Sequence, residues 1–450
     1  MIKNKLWVVS ASVISALSLS QPAYSQTINE AVDQTIQSNP TILAESSRRL
    51  SVDQTIDQAR AGYYPTADLG LGYGWEESDN PTTRANGQPY NDHNHEDMTR
   101  GEANIAIRQM IYDGFATKSA VEQSESLAES AGYSVADTAE GTSLRAVEVY
   151  LDVLRRQELL QVTEDNLDSH SRIYDQIKQR ADSGVGTTVD AEQTKGRLAL
   201  SKANLESNIG NLVDAKSSYH RVVGSEADGL TVPSQECCDK APNSLEDALK
   251  VAHQHHPALR AAIANHEAAL ALEQSAKAPF RPRVDLEIDA PADNNLDGTR
   301  GHNSDLLAML RLRWNLVNGG ADSARINETA FLSEVTEAEI ELAKREIEND
   351  VRLAWNALES TTAQLTYLQQ HAKASEDTRE AYQQQFNVGL RTLLDVLDTE
   401  NEVLTARTDY INAYYDRLFA CYWLSETTGK LLEALELEAP AEAITVAAGE

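Results

Sequence analysis

Val388-Gly389-Leu390-Arg391-Thr392-Leu393-Leu394-Asp395-Val396-Leu397-Asp398 is the stretch whose reading decides the fold. A glycine interrupts a long helical pattern, and a new helix opens with two aspartates three residues apart, which therefore share a face. Ser183-Gly184-Val185-Gly186-Thr187-Thr188-Val189-Asp190 has the same shape. Gly184 matches Gly389, Thr187 matches Thr392 and Asp190 matches Asp395, all at an offset of 205. Gly114 with Gly319 and Tyr150 with Trp355 keep that offset, whereas Asn39-Pro40 with His256-Pro257 and Pro65 with Pro282 keep 217. The chain reads as two copies of one design, the first carrying a loop 12 residues longer between Pro65 and Gly114. A repeat of this length is a duplicated domain, since solenoid units recur every ~20–50 residues.

The 450 residues hold 39 basic and 70 acidic side chains, and a net charge of −31 argues against nucleic acid or anionic lipid headgroups as partners. Only 6% are aromatic, which favours long helices over a conventional globular core. Three cysteines are too few for a disulfide scaffold. Lys3 and Lys5, the apolar run from Leu6 to Leu19, and Ala23-Tyr24-Ser25 read as a signal peptide over 1–25. No cysteine follows the expected cut to take a lipid anchor. No later apolar stretch is long enough to cross a bilayer as a helix, so a mature chain that crosses one must use strands.

The first repeat is assigned to 26–223. Residues 28–61 have a helical pattern broken at Asn39-Pro40, and Pro65 ends it. Ala67, Leu69, Leu71, Tyr73 and Trp75 then alternate with polar residues or glycine, which predicts a strand over about 66–75. A polar loop over 76–101 includes Asp92-His93-Asn94-His95-Glu96-Asp97, read as solvated surface because no ligand spacing there fixes a coordination geometry. A second strand is expected over about 102–112. The helix from 116 to 182 would be about 100 Å long, and a return helix over 188–223 stacked end to end with 28–61 would match it.

Residues 224–243 form a linker holding Cys237-Cys238, where nothing nearby would activate a thiolate. The second repeat, 244–428, repeats the plan with strands about 283–290 and 305–315 and a helix over 321–387. Cys421 reads as a small packing residue. The acidic tail, 429–450, is expected to be disordered.

Strands of about ten residues with one apolar face fit a membrane barrel, yet four of them cannot close around a lumen, so several chains must pool their strands. At this point the chain resembles the TolC family of outer-membrane channel proteins, through the duplication, the paired hairpins and the 388–398 stretch. The resemblance implies a mainly α fold with membrane β-hairpins. As a homotrimer it would make a 12-stranded β-barrel in the outer membrane of a Gram-negative bacterium, continuous with a long periplasmic α-helical barrel. It further implies outer-membrane lipid, a periplasmic adaptor (membrane fusion) protein and an inner-membrane ABC transporter as partners, with an RND-type pump as the alternative.

Family roles carry over to individual positions. Asp395 and Asp398 match aspartates that ring the periplasmic entrance, Arg391 a basic residue tethering the closed state, and Asp190 a first-repeat aspartate of that tether. Phe386 stands where a tyrosine would donate a hydrogen bond, and Gln193, the repeat-mate of Asp398, is not acidic. Gly184, Val185, Gly186, Val388, Gly389 and Leu390 are the expected helix-turn tips for adaptor contact. Asp68, Gly70, Gly72, Asn104, Arg108, Asp285, Glu287, Asp289, Arg311 and Arg313 are the barrel-interior candidates. Met110-Ile111-Tyr112-Asp113-Gly114-Phe115-Ala116-Thr117 and Ser169-His170-Ser171-Arg172-Ile173-Tyr174-Asp175-Gln176-Ile177 are most similar to the AggA/LapE-like branch, which exports large adhesins by type I secretion. A drug or metal efflux channel and a soluble periplasmic coiled-coil scaffold are the alternatives, the latter disfavoured by four alternating strands. No catalytic, cofactor or metal constellation stands out.

Overall fold

The computed structural model describes residues 25–86, 96–234 and 242–444. Its first helix, α1 (Ile28–Ser38), opens on a capping box in which Thr27 and Glu30 each satisfy the other's backbone N–H. It stops at Asn39 because proline follows. The Asn39 Oδ1 accepts the Thr41 N–H at 2.9 Å to start α2 (Pro40–Arg60), while its Nδ2 donates to Val222 O at 2.8 Å. That second bond fixes the break against the end of α5 (Thr188–Val223), which runs back along α4 (Ala116–Asp182). The α1–α2 pair and α5 thus meet end to end beside the 67-residue α4.

The second repeat has the same joint. His256 ends α6 (Leu245–His255) and accepts the Ala258 N–H at 3.2 Å to start α7 (Pro257–Ala276). Opposite it, α9 (Leu393–Thr427) closes on Gly429, whose φ of 70° brings the backbone against His256 and Pro257. The long helix here is α8 (Ala321–Asn387). The repeats are joined because α4 packs on both α7 and α9.

The main core lies at this level. Tyr150, Tyr219, Tyr415 and Leu418 are buried there. The Tyr150 Oη lies 2.8 Å from Gln26 O and 2.7 Å from Thr231 O, and accepts the Thr231 N–H at 3.0 Å. One hydroxyl therefore ties the start of the described chain to the inter-repeat linker.

The first three strands are longer than the sequence pattern suggests, and the fourth, expected over about 305–315, is confined to Leu307–Arg313. β1 (Thr66–Ser78) pairs with β2 (Glu96–Tyr112), β2 with β3 (Arg283–Leu296), and β3 with both β4 (Thr299–Ser304) and β5 (Leu307–Arg313), all antiparallel. Residues 291–304, expected as a loop, are mostly strand. Side chains such as Asp293, Asn294 and His302 show no apolar alternation, but the backbone ladder continues through them. The turn is Asp297-Gly298, with φ of 52° and 77°, the two-residue type I′ geometry that suits the twist of a hairpin. Between β1 and β2 the described residues include a short helix, α3 (Pro81–Asn86). Among the described residues no helix is long and apolar enough to cross a membrane.

Two expectations are corrected. Cys421 is fully buried and disulfide-bonded, so it is a cross-link and not merely a packing residue. Cys237-Cys238, residues 1–24 of the signal peptide expected over 1–25 and the loop positions Asp92-His93-Asn94-His95 lie outside the described residues. The tail is not disordered over 429–444. Leu431, Leu432 and Leu435 are buried, Asn29 Nδ2 donates to Leu435 O at 2.9 Å, and the Ile444 N–H donates to Gly132 O at 3.1 Å. Its acidic composition hid three leucines that complete the core.

Glu140 holds this strap. Its carboxylate accepts the Leu431 N–H at 2.9 Å and the Leu432 N–H at 3.4 Å, capping α10 (Leu431–Ala434). Burial pushes its pKa up to about 8, and pushes the neighbouring Glu426 up to about 7 and Asp137 upward. The packed state keeps these protons at pH values where an unfolded chain, with ordinary values of 4.5 for the glutamates and 3.8 for the aspartate, has released them. Stability therefore falls as pH rises through that window, by at most ~1.4 kcal/mol per pH unit for each group. His256, which burial holds down to about 4, opposes this on the acid side, as its packed form resists the proton that an unfolded histidine takes up below about 6.5. The melting temperature should therefore fall between pH 6.5 and 8, and Glu140→Gln should flatten that slope. An unchanged slope in the variant would remove Glu140 as its source.

Candidate gate and duct lining

The two helix-turn tips are built alike. Gly184 and Gly389 have φ of 77° and 80°, the left-handed conformation that ends a helix in a Schellman turn. The Val185 N–H reaches back to Arg180 O at 3.0 Å, and the Leu390 N–H to Gln385 O at 2.9 Å. Thr187 and Thr392 then cap the return helices, accepting the N–H of Asp190 at 3.1 Å and of Asp395 at 3.3 Å. Val185, Val388 and Leu390 are left exposed at the ends.

Charge separates the two tips. The Asp395 carboxylate completes a capping box, accepting the Thr392 N–H at 3.1 Å and its hydroxyl at 2.9 Å. These hydrogen bonds, aided by the Arg391 charge, hold its pKa below the usual carboxylate range. Asp398, on the same face, is exposed and paired with Arg197 at 3.4 Å. Gln193 is exposed, and among the described residues its amide has no partner and Asp190 forms no ion pair.

Arg391 does not reach Asp190 within one chain. Its guanidinium lies over the Tyr382 ring at 4.1 Å, and its Nε donates to Gln385 Oε1 at 3.0 Å. Phe386, lacking a hydroxyl, lies 5.4 Å beneath the Arg180 guanidinium. It also packs on a cluster of Ile173 and Ile177 from α4 with Leu393, Val396 and Leu397 from α9. Arg180, Arg197 and Tyr382 were not singled out in the sequence. A cation in the last turn of α4 was the available signal for Arg180.

The sheet has one polar face. Its register aligns Asp68 with Ala106, Gly70 with Asn104, Arg108 with Glu287 and Asp285 with Arg311, so all ten barrel-interior candidates share that face. Asp285 is fully buried between Arg283 at 2.9 Å and Arg313 at 3.0 Å, and Glu287 is met by Arg311 at 2.6 Å, by Arg313 and by Arg108 at 3.5 Å. Asp289 has no ion-pair partner among the described residues. The same register puts Leu307 and Met309 on this face, which the surrounding leucines concealed. The opposite face carries Leu69, Leu71, Tyr73, Ile105, Leu310 and Leu312, all exposed in the single chain.

An apolar sheet face, a charged face and long paired helices ending in acidic tips define a membrane channel protein. A family model described as outer membrane efflux protein matches residues 31–225 and 248–430, and the chain belongs to that family. It is similar to the outer membrane efflux protein BepC of Brucella suis biovar 1, at 23% identity over 94% of this chain and 90% of BepC. It is also similar to the outer membrane protein TolC of Vibrio cholerae, at 23% over 92% and 93%, and to the proteases secretion protein PrtF of Dickeya chrysanthemi, at 22% over 90% and 88%. Among solved structures the outer-membrane channel OprN shares the fold, with a TM-score of 0.74 and 17% identity over 89% of each chain. Family and fold are those of channel proteins, placed in the outer membrane of Gram-negative cells with a long periplasmic helical part.

The acidic tip should make the pore cation-selective and sensitive to block by multivalent cations. Asp395→Ala with Asp398→Ala should weaken both in planar bilayers, and the corresponding Asn pair separates loss of charge from loss of the cap. Unchanged selectivity and block in both double variants would remove these residues from the constriction.

Proposed function

We propose that three copies of this chain form the outer-membrane duct of a type I secretion system. The duct passes an unfolded protein, a large surface adhesin, from an inner-membrane ABC transporter and its periplasmic adaptor to the cell exterior. The observation that carries the duct reading is the sheet itself, charged on one face, apolar on the other and unpaired at both edges. Pooling three sheets pairs the edges, turns the apolar faces to lipid and gives a lumen whose charges are mostly matched in pairs. A translocating chain meets few apolar patches there and is not held. The exposed tips at Val185, Val388 and Leu390 are offered to the adaptor.

Protein export is favoured over efflux by the likeness of residues 110–117 and 169–177 to adhesin-exporting channels and by a relative named for protease secretion. A drug or metal efflux duct, with an RND-type pump as partner, is the second reading, supported by the family description and by BepC. Deleting the chain should strand a large adhesin inside the cell and impair biofilm formation, with little change in drug sensitivity. Surface proteomics beside an antibiotic panel decides. Normal surface adhesin with marked drug hypersensitivity would make efflux the primary function.

A further inference from the structure

The internal repeat extends to strand register. In the first hairpin Thr66 pairs with Arg108, and in the second their repeat-mates Arg283 and Arg313 pair, at the offsets of 217 and 205 seen in the sequence. Between the hairpins, β2 meets β3 with Arg108 opposite Glu287, Ile107 opposite Ile288 and Ile105 opposite Ala290. The mate of β2 is β5 and the mate of β3 is β1, and each of these is bonded on one side only. On its polar face β1 carries Gly70, Gly72 and Gly74. A side chain at Gly70 or Gly74 would meet nothing within 4 Å, and one at Gly72 only the side chain of Glu102, from 3.6 Å. Glycine weakens a strand and often marks a place where another chain comes close. No described residue of the chain itself calls for these three.

We infer that β5 pairs with β1 of a neighbouring copy in the register that β2 and β3 show within the chain. That register sets Arg313 opposite the partner's Gly70, Arg311 opposite the partner's Gly72 and Met309 opposite the partner's Gly74. The inference rests on the duct reading, which requires the edges to be joined but leaves open at which residues. On the polar face three bare positions then receive three long side chains. Arg313 needs no acid from the neighbour, since Asp285 and Glu287 of its own chain hold it. On the other face Leu312 lies beside the partner's Leu71, and Leu310 beside the partner's Tyr73. These four side chains, between 62% and 86% exposed in the single chain, become one apolar band toward lipid. A slip of one residue would turn Arg311 and Arg313 into hydrocarbon. A slip of two keeps the faces but departs from the repeat, and sets Arg313 against the partner's Asp68.

Disulfide trapping of the full-length protein in outer membranes tests the register. Leu71→Cys with Leu312→Cys, and Tyr73→Cys with Leu310→Cys, put cysteines directly opposite each other across the joint. Their Cα atoms would be about 4.5–5.5 Å apart, within reach of a disulfide. Leu71→Cys with Leu310→Cys, and Tyr73→Cys with Leu312→Cys, place the same four substitutions on the diagonals, at about 7–8 Å, too far to bridge without backbone movement. After mild oxidation the first two pairs should give at least about tenfold more covalent trimer on a non-reducing gel than the last two, above the background of the unsubstituted protein. Each substitution occurs once in a pair of either kind, so a loss of folding cannot produce this ranking. Equal or stronger bridging on a diagonal would overturn the register, and bridging by Leu71→Cys with Leu310→Cys alone would mean the slip toward Asp68. No bridging by any pair, in protein that sediments as a trimer, would overturn the joint between β5 and β1. Unsubstituted protein that purifies as a monomer would instead overturn the duct reading.

Discussion

Unpaired backbone groups at a sheet edge are not tolerated in hydrocarbon, where no water replaces the missing partner. Each chain has two such edges, β1 on one side and β4 with β5 on the other. Twist and strand length cannot close so few strands around a lumen. Assembly is therefore a condition for the sheet's existence in a bilayer, and the rest of the molecule has to be compatible with a symmetric ring. Phe331, Val335 and Leu342 are likewise apolar and exposed along α8 in the single chain.

The duplication was legible because glycine and proline mark positions that backbone geometry cannot surrender. Gly184 and Gly389 recur at one offset since both must adopt positive φ. Asn39-Pro40 and His256-Pro257 recur because each ends one helix, caps the next and meets the end of a third. The two 67-residue helices were legible from their apolar spacing. The outer halves of the strands were not, since a ladder made by backbone groups leaves no trace in side-chain alternation once both faces are polar. Asp297-Gly298 was the one local signal there. The strap was missed for the opposite reason, as its leucines are outnumbered by acidic neighbours and only the three-dimensional site shows what covers them.

At the tips, positions were legible and pairings were not. The sequence places Asp395 and Asp398 on one face, but only the structure separates their work. Asp395 is turned back onto its own helix start, while Asp398 faces across to the first repeat. The same holds for the cations, where the family resemblance pointed to Arg391, whereas the structure brings Arg180 to Phe386 and Arg197 to Asp398. Helix periodicity fixes faces, whereas the partner of a long flexible side chain depends on which neighbouring helix lies within its reach.

Backbone bonds at the two tips obey the repeat, while side-chain charges break it. The Schellman bonds and threonine caps recur at each tip because both must reverse a helix within a few residues. Gln193 and Asp398, or Arg180 and Gln385, occupy equivalent positions with unlike chemistry. Within each chain Arg180 and Arg197 of the first repeat meet Phe386 and Asp398 of the second. The sheet edges must be satisfied in hydrocarbon, whereas the exposed side-chain contacts at the far end of the rods lie where water can replace a broken bond.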